Sequence, residues 1–302
     1  MDHPIPILHS AVTIMTPLLL AAMGGLFTEL SGMLNIALEG LLLIGAFTAI
    51  VCAHFSGSIL VGVLAAILAS MILAAILASV TLRLKSNVFI AGLAVNLFAA
   101  GVTVVLSFRL FATRGVVRFG DVARLKVFTI PIIDRIPVLG DIFSGHTFYV
   151  YLSWLLLACA WLTLYRTPFG YRLRASEHHS RALISLGLKP DSYRFIAFLI
   201  SGFACGIGGS FLTLNLRAFV PNISSGKGWI ALVVIFLGNR SPFGLFIAAL
   251  VFGLAEAFSN YAQGALNVPA DFILAIPYIF TLLMMIGMSI YTKRKNRVIG
   301  GL

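Results

Sequence analysis

The sequence predicts an all-α, polytopic integral membrane protein with a single transmembrane domain over residues 1–302. Of these 302 residues, 60% are hydrophobic and only 10% carry a charge, whereas soluble domains carry about 25% charged residues. Runs of about 20 apolar residues, long enough to cross the hydrocarbon core of a bilayer, follow one another along the chain. A soluble fold could not bury all of them, so the composition excludes a soluble globular protein.

Each apolar run is expected to form one helical pass, which gives about nine passes. The run at 229–240 is too short to cross alone and favours a broken or re-entrant helix, because irregular backbone at membrane depth needs protein or water around it. The runs cover residues 7–27, 33–54, 58–82, 87–109, 147–165, 194–216, 229–240, 244–262 and 270–291.

Lysine and arginine predict the orientation, because loops rich in these residues remain in the cytoplasm. The basic tail at 293–297 places the C-terminus inside, and counting passes back from it places the N-terminus outside. The same count predicts that the segment 166–193 is cytoplasmic and that 110–146 is an extracytoplasmic loop. This loop is itself basic, which conflicts with the rule. Its aspartates reduce the net positive charge, and the orientation is therefore taken from the C-terminal tail.

A polar, basic insert interrupts the apolar chain at 166–193. Residues 175–186 are predicted to form a short amphipathic helix. Helical structure can begin upstream at Thr167-Pro168 or at Ser176, and Gly187 is typical of a helix end. Such a helix can lie on lipid headgroups or dock in a groove of another protein, and its pattern alone leaves both open. Its apolar face would consist of Ala175, Ala182, Leu183 and Leu186.

Several stretches of the chain resemble one family in the same order. "TPFGYRLRASEHHSRALISLGL" followed by "YRFIAFLISGFACGIGGSFL" resembles the cytoplasmic coupling segment and next span of bacterial ABC importer permeases of the ribose and nucleoside branch. "ELSGMLNIALEGLLLIGAF" and "GKGWIALVVIFLGNRSPFG" resemble two other segments of these permeases, so the resemblance covers most of residues 25–290. Ser176 and His178 depart from the pattern, where the family often has Gly and Asn. The matching residues are Gly170, Arg172, Arg174, Ala175, Glu177, Ala182, Gly187, Ser201 and Gly202.

The resemblance implies a permease subunit of a bacterial cytoplasmic (inner) membrane ABC importer that works by alternating access. Its partners would be ABC ATPase subunits, a second homologous permease in a homo- or heterodimer, an extracytoplasmic solute-binding protein and membrane lipid. The ATPase would use ATP and Mg²⁺, while this chain would bind no cofactor and catalyse no reaction; the sequence holds no Gly-x-x-x-x-Gly-Lys-Ser/Thr phosphate loop. The residues expected to couple to the ATPase are Gly170, Arg172, Arg174, Glu177, Arg181, Ala182 and Gly187.

Polar residues inside the apolar runs are candidates for the translocation path, because ionisable groups in a membrane are functional candidates by default. A charged Glu39 at the bilayer centre costs about 2.5–3.5 kcal/mol and should face the bundle or water. The alternative for Glu39 and Glu256 is a structural hydrogen bond near the cytoplasmic end or a protonated carboxyl group, and the alternative for Asn96 is a hydrogen bond between helices. The predicted path residues are Asn35, Glu39, Asn96, Asn215 and Glu256.

Other features favour packing rather than chemistry. Gly202, Gly206 and Gly209 have the spacing of a close helix contact. The three cysteines are widely spaced and the adjacent His178 and His179 do not share a helix face, so no metal site is predicted. The net charge of +11 lies in short segments between spans, which argues against nucleic acid.

The substrate class is inferred from the family resemblance and not from a binding pocket. A nucleoside-like or flavin-like solute, riboflavin included, is favoured over a simple sugar such as ribose. An ion-coupled secondary transporter is a weaker alternative, since neither an inverted repeat nor a coupling-ion site is evident. An intramembrane protease is excluded because no Gly-x-Ser-Gly or paired-histidine motif occurs in a span.

Overall fold

Within the part of the chain that the structure describes, seven helices are long and apolar enough to cross a membrane. The computed structural model describes residues 5–129 and 139–265, together with residues 279, 283, 286 and 287. The described chain is mostly helical, which confirms the predicted class of a helical membrane protein. The seven helices are α1 (Ile5–Leu30), α2 (Leu38–Ser56), α3 (Ile59–Leu82), α4 (Val88–Phe111), α6 (Phe148–Arg166), α9 (Pro190–Leu216) and α11 (Pro242–Ala265).

The short helix α10 (Lys227–Leu237) forms where the sequence predicted a broken or re-entrant pass. It has 11 residues and is therefore about 16 Å long, half the thickness of a hydrocarbon core of about 30 Å. The ninth predicted run, 270–291, lies almost entirely outside the described residues, so the number of nine passes stays a prediction. The shorter helices are α5 (Leu139–Phe143), α7 (Pro168–His178), α8 (Ser180–Ser185) and α10 (Lys227–Leu237).

Helix α9 lies at the centre of the bundle and packs against α1, α2 and α3. Gly202 and Gly206 face the backbone of α3, and Gly209 faces the backbone of α2 at Leu42. A Cβ atom on Gly206 would lie 2.7 Å from the Cα atom of Ile67, closer than two carbon atoms can approach. These glycines let the helix backbones touch, and close approach at small residues stabilises helix pairs in membranes.

Replacing Gly206 with alanine is expected to destabilise the bundle by about 1–3 kcal/mol, because the added methyl group must push α9 away from α3. The thermal midpoint of the purified permease in detergent measures the effect. Gly101 is the matched control: it lies in α4, and a Cβ atom there meets nothing within 4 Å. Gly101→Ala should leave the midpoint unchanged or raise it slightly, since alanine favours helix. Equal midpoints for the two variants would contradict the packing role.

Two short antiparallel strand pairs lie at one end of the bundle, which we name the loop end because it holds the described residues 112–129 and 139–147. Strand β1 (Val117–Arg118) pairs with β4 (Ala218–Phe219), and β2 (Val127–Phe128) pairs with β3 (His146–Thr147). Helix α5 packs against α1 at this end. The opposite end carries α7 and α8 and is named the α7–α8 end. The predicted extracytoplasmic loop and the predicted coupling segment therefore lie at opposite ends.

Candidate coupling and translocation site

Helices α7 and α8 form the polar insert, and their start agrees with the sequence pattern. Thr167 caps α7: its side-chain oxygen accepts from the backbone N–H of Gly170 at 3.3 Å, and Pro168 occupies the first turn. Gly187, with φ of +73°, follows the end of α8. A left-handed residue at this position is the usual glycine stop.

The single helix predicted over 175–186 is wrong, because the chain breaks at His179. The carbonyl oxygen of Ser176 explains the break. It accepts from the Ser180 hydroxyl at 2.6 Å and from Arg194 Nη2 at 2.7 Å. Side chains thus take the acceptor that the backbone N–H of residue 180 would use in a continuous helix.

The predicted apolar face is divided between the bundle and the outer surface. The residues of α7 that are buried are Gly170, Leu173 and Ser176. Of the predicted face only Leu183 is buried, whereas Leu186 is 75% exposed. Spacing along one continuous helix could not reveal this, because α7 and α8 present different sides to the bundle.

Two arginines tie α7 to the bundle. Arg194, at the start of α9, donates to the carbonyl oxygens of Ser31 at 3.3 Å and Ser176 at 2.7 Å. Arg240, just before α11, donates from Nη2 to Glu177 Oε1 at 2.6 Å and to the carbonyl oxygen of Glu29 at 3.1 Å. We name Glu29, Glu177 and Arg240 the Arg240 clamp.

The Arg240 clamp connects α1, α7 and the loop between α10 and α11. Its side chains are largely shielded from solvent, with Glu29 14% and Glu177 20% exposed. One guanidinium therefore serves two carboxylates, which would repel each other without it. The sequence analysis singled out Glu177 but neither Arg240 nor Arg194. Neither arginine belongs to a local pattern that could have found it.

The outer surface of α7 and α8 mixes basic and large apolar side chains. Arg172 donates to the Tyr193 hydroxyl at 3.4 Å, and the Arg174 guanidinium lies over the Tyr165 ring at 4.6 Å. Gly187 lies in the exposed turn after α8. The exposed side chains that face outward here include Tyr171, Arg181, Ala182, Ile184 and Leu186.

Glu39 lies in the membrane interior and binds the beginning of α10. Its Oε1 accepts from the Ser224 hydroxyl at 2.5 Å and from the backbone N–H of Gly226 at 2.9 Å, and its Oε2 accepts from the N–H of Gly228 at 2.7 Å. The residue is only 8% exposed. A carboxylate at a helix N-terminus satisfies unpaired N–H groups and complements the helix dipole. Glu39 therefore caps α10.

Asn96 and Asn35 form hydrogen bonds with the backbone at the beginning of α2. Asn96 accepts from the backbone N–H of Gly40 at 2.7 Å and donates to the carbonyl oxygen of Ile36 at 2.9 Å. The buried Asn35 donates to the Ser201 hydroxyl at 2.9 Å and accepts from the N–H of Ala37 at 3.0 Å. These contacts are the structural alternative that the sequence left open. They pair the non-helical backbone between α1 and α2 inside the membrane.

Of the other two predicted path residues, Glu256 also lies at the start of α10, whereas Asn215 lies at the loop end. Asn215, near the end of α9, lines an open cavity of about 790 Å³ at the loop end. Glu256, on α11, accepts from Lys227 Nζ at 2.6 Å. The structure thus does not bring the five predicted path residues together. Lys227, the partner that reaches Glu256 from the start of α10, was not identified from the sequence.

His54 and Asp121 fasten the polar loop to α2 at the loop end. His54 Nδ1 lies 2.6 Å from Asp121 Oδ2, and this hydrogen bond lowers the pKa of Asp121 below its ordinary value. Within the described ranges no group of three or more His, Cys, Asp or Glu side chains is arranged to hold a metal ion.

His146 holds β3 to α1 and titrates outside the spans. Its Nε2 lies 2.8 Å from the carbonyl oxygen of Ile142 and donates, because a carbonyl only accepts. In the neutral ring Nδ1 then accepts from the Thr13 hydroxyl at 3.1 Å, and the ring stacks on His9 with 4.0 Å between centroids. Burial lowers the pKa of His146 below its ordinary value of 6.5.

Acid is expected to loosen this contact. Above pH 6.5 both the folded and the unfolded chain hold residue 146 neutral, whereas below it the unfolded chain binds the proton first. Thermal stability should therefore fall as the pH drops below about 6.5, until the folded state's lower pKa is passed. His146→Gln, which keeps a donor for Ile142, should flatten this part of the midpoint-versus-pH curve. An equally steep curve in the variant would assign the acid effect to other groups.

Proteins of a known family match this chain over most of its length. The described residues, with seven span-length helices and a polar insert at one end, form a polytopic helical membrane protein. Residues 7–289 match the family described as branched-chain amino acid transport system / permease component, and the chain belongs to this family.

The relatives include permeases that are named for a nucleoside or a sugar. The chain is 33% identical over 290 residues to the guanosine ABC transporter permease NupQ of Bacillus subtilis, covering 90% of this chain and 88% of the relative. It is 28% identical to the nucleoside ABC transporter permease NupC of Lactococcus lactis, covering 89% and 88%. It is 30% identical to the putative glucose ABC transporter permease TsgC13 of Haloferax volcanii, covering 85% and 78%.

One solved structure shares the fold. PsaBC from Streptococcus pneumoniae in complex with Fab matches with a TM-score of 0.50 at 14% identity, covering 91% of this chain and 89% of that chain. The family assignment makes this protein a multi-pass permease of the inner membrane. It is a transport subunit and not itself an enzyme, and its family works with ATPase and solute-binding partners.

Proposed function

We propose that this chain is the permease subunit of an ATP-driven importer whose solute is a nucleoside. The observation that carries the proposal is the similarity to the guanosine permease, at 33% identity over 90% of the chain. The similarity to a putative glucose permease keeps a sugar as the second candidate. The relatives named above include no riboflavin permease, and a flavin is not part of the proposal.

We propose that the α7–α8 end is cytoplasmic and that 166–193 is the coupling segment on which the ATPase docks. The apolar side chains of Ile184 and Leu186 are 62% and 75% exposed. Their exposure supports docking, because a groove in a partner protein can bury such aliphatic side chains. Arg181 lies beside them and is exposed. ATP and Mg²⁺ are used by the docked ATPase. In this orientation the N-terminus and 110–146 lie outside, and the basic C-terminal tail lies inside.

We propose further that a second, homologous permease completes the translocation path. Helix α9, at the centre of the bundle, touches the backbones of α2 and α3 at its glycines. This close packing leaves the bundle centre without room for a solute and favours a route at its surface. The solute-binding protein would then deliver solute at the loop end, where the open cavity lies.

The test uses the importer assembled from the permease pair, the ATPase and the solute-binding protein. In membranes, a photo-reactive cross-linker on an Arg181→Cys thiol should capture the ATPase, and cells that express the importer should accumulate labelled guanosine. Competition by unlabelled nucleosides but not by glucose or ribose supports a nucleoside. Competition by sugars alone would make the sugar the solute. Cross-links only to lipid or to extracytoplasmic protein would overturn the coupling assignment.

A further inference from the structure

The segment that precedes α10 enters the membrane as irregular backbone. Strand β4 ends at Phe219 at the loop end, and α10 begins only at Lys227. From there α10 runs about 16 Å to the Arg240 clamp at the opposite end. Residues 220–226 therefore descend from the loop end to about half the depth of the bilayer. Within them Asn222 and Ser225 have positive φ values of 57° and 44°, so the turn is tight and cannot be helical.

One side of this turn is fixed to the bundle. The carboxylate of Glu39 accepts the N–H groups of Gly226 and Gly228 and the buried hydroxyl of Ser224. The N-terminus of α10 is thereby already capped and does not itself offer a binding site. A Cβ atom on Gly228 would overlap the backbone of Glu39, so the turn cannot move closer to α2.

The other side of the turn is exposed and polar. Asn222 and Ser225 are exposed, and the apolar ring of Trp229 beside them is 41% exposed. Lys227 and Glu256 form an ion pair with 2.6 Å between Nζ and Oε1, and their side chains are 15% and 30% exposed. Irregular backbone and charged side chains at membrane depth face protein or a water-filled cavity, because lipid can satisfy neither. This surface therefore faces protein or a water-filled cavity rather than lipid.

We propose that residues 221–229 together with Glu256, named here the re-entrant wall, line the solute route and contact the solute directly. This inference rests on the proposed transport function and adds the residues that meet the solute. Glu256 accepts hydrogen bonds from hydroxyl or ring N–H groups, and Lys227 donates to carbonyl or ring nitrogen atoms. Because the pair carries no net charge, the wall suits an uncharged solute with both donors and acceptors, such as a nucleoside, and disfavours its phosphorylated forms.

The first experiment asks whether the re-entrant wall faces water. Cys52, Cys159 and Cys205 are replaced by alanine, and one thiol is placed by Ser225→Cys or by Leu97→Cys. Leu97 is the control because it is 75% exposed and adjoins Asn96, which contacts α2 close to Glu39. A charged, membrane-impermeant methanethiosulfonate should modify the Ser225→Cys thiol about tenfold faster or more, since only a hydrated thiol ionises readily. Equally slow modification of both thiols would overturn the proposal.

The second experiment asks whether the pair contacts the solute or only joins α10 to α11. Glu256→Gln should lower maximal guanosine uptake by about tenfold to a hundredfold, the effect of losing one charge-assisted hydrogen bond. The ATPase should still co-purify and hydrolyse ATP. The exchange Lys227→Glu with Glu256→Lys keeps the ion pair and should restore thermal stability but not uptake.

Restored uptake in the exchanged variant would show a purely structural pair and overturn solute contact. The thiol experiment needs no known substrate. A wild-type importer that carries no nucleoside would thus count against the proposed solute, while the labelling rates still decide whether the wall faces water.

Discussion

Glu39→Leu is expected to prevent the permease from accumulating as a folded protein. The substitution leaves the Ser224 hydroxyl and the N–H groups of Gly226 and Gly228 without their acceptor inside the membrane. Each unpaired buried donor costs about 1–3 kcal/mol, so the sum exceeds about 3 kcal/mol, a large part of a typical folding free energy. The yield of monodisperse protein from membranes and its thermal midpoint are the measurements.

Graded variants separate this effect from a general loss of charge. Glu39→Gln keeps one acceptor oxygen but turns an amide NH₂ toward an N–H donor, and it should lose about 1–3 kcal/mol. Asp191→Asn is the control, because the Asp191 side chain is 65% exposed and pairs with Arg194 at the surface. Surface ion pairs contribute about 1 kcal/mol or less. A Glu39→Leu permease that melts like the wild type would rule out the capping role.

Arg240→Ala is expected to uncouple ATP hydrolysis from uptake. Without the guanidinium, Glu29 and Glu177 face each other with no counter-charge, and α7 loses its connection to the loop that follows α10. Removing one partner of a buried ion pair costs about 3–5 kcal/mol, discounted here because Arg240 is 32% exposed. Uptake per ATP hydrolysed by the assembled importer should fall by about tenfold or more.

Two variants make the result specific. Arg240→Lys keeps the charge but cannot reach both acids with a planar fork, so it should recover only part of the coupling. Arg83→Ala removes an exposed arginine at the same end of the bundle and should leave coupling intact. If Arg240→Ala and Arg83→Ala transport with the same ratio of solute to ATP, the Arg240 clamp has no part in coupling.

The membrane fold was predictable because composition and run length are local properties of the sequence. The run 7–27 became α1, which is longer at both ends, and the run 194–216 became α9, which begins four residues earlier. The short run at 229–240 was correctly identified as unable to cross alone. The strand pairs at the loop end were not predictable, since each strand has two residues and carries no periodic pattern.

The site was only partly predictable, because its contacts join distant parts of the chain. Glu39 was found as a polar residue in an apolar run, but its partners lie 185 or more residues away. The break at His179 depends on Arg194, which no helix pattern of 175–186 contains. Lys227 resembled an ordinary loop lysine until the fold placed it beside Glu256.

The geometry of α10 has a mechanical consequence. The C-terminal end of this helix adjoins the Arg240 clamp. Its N-terminal end is bound by Glu39 and by the Lys227–Glu256 pair. Because a helix resists stretching along its axis, a shift of α7 is expected to move the N-terminal end of α10, about 16 Å away. If the proposed coupling holds, a displacement of α7 at the end of the bundle would reach the middle of the bilayer through α10 alone, without bending of the long helices.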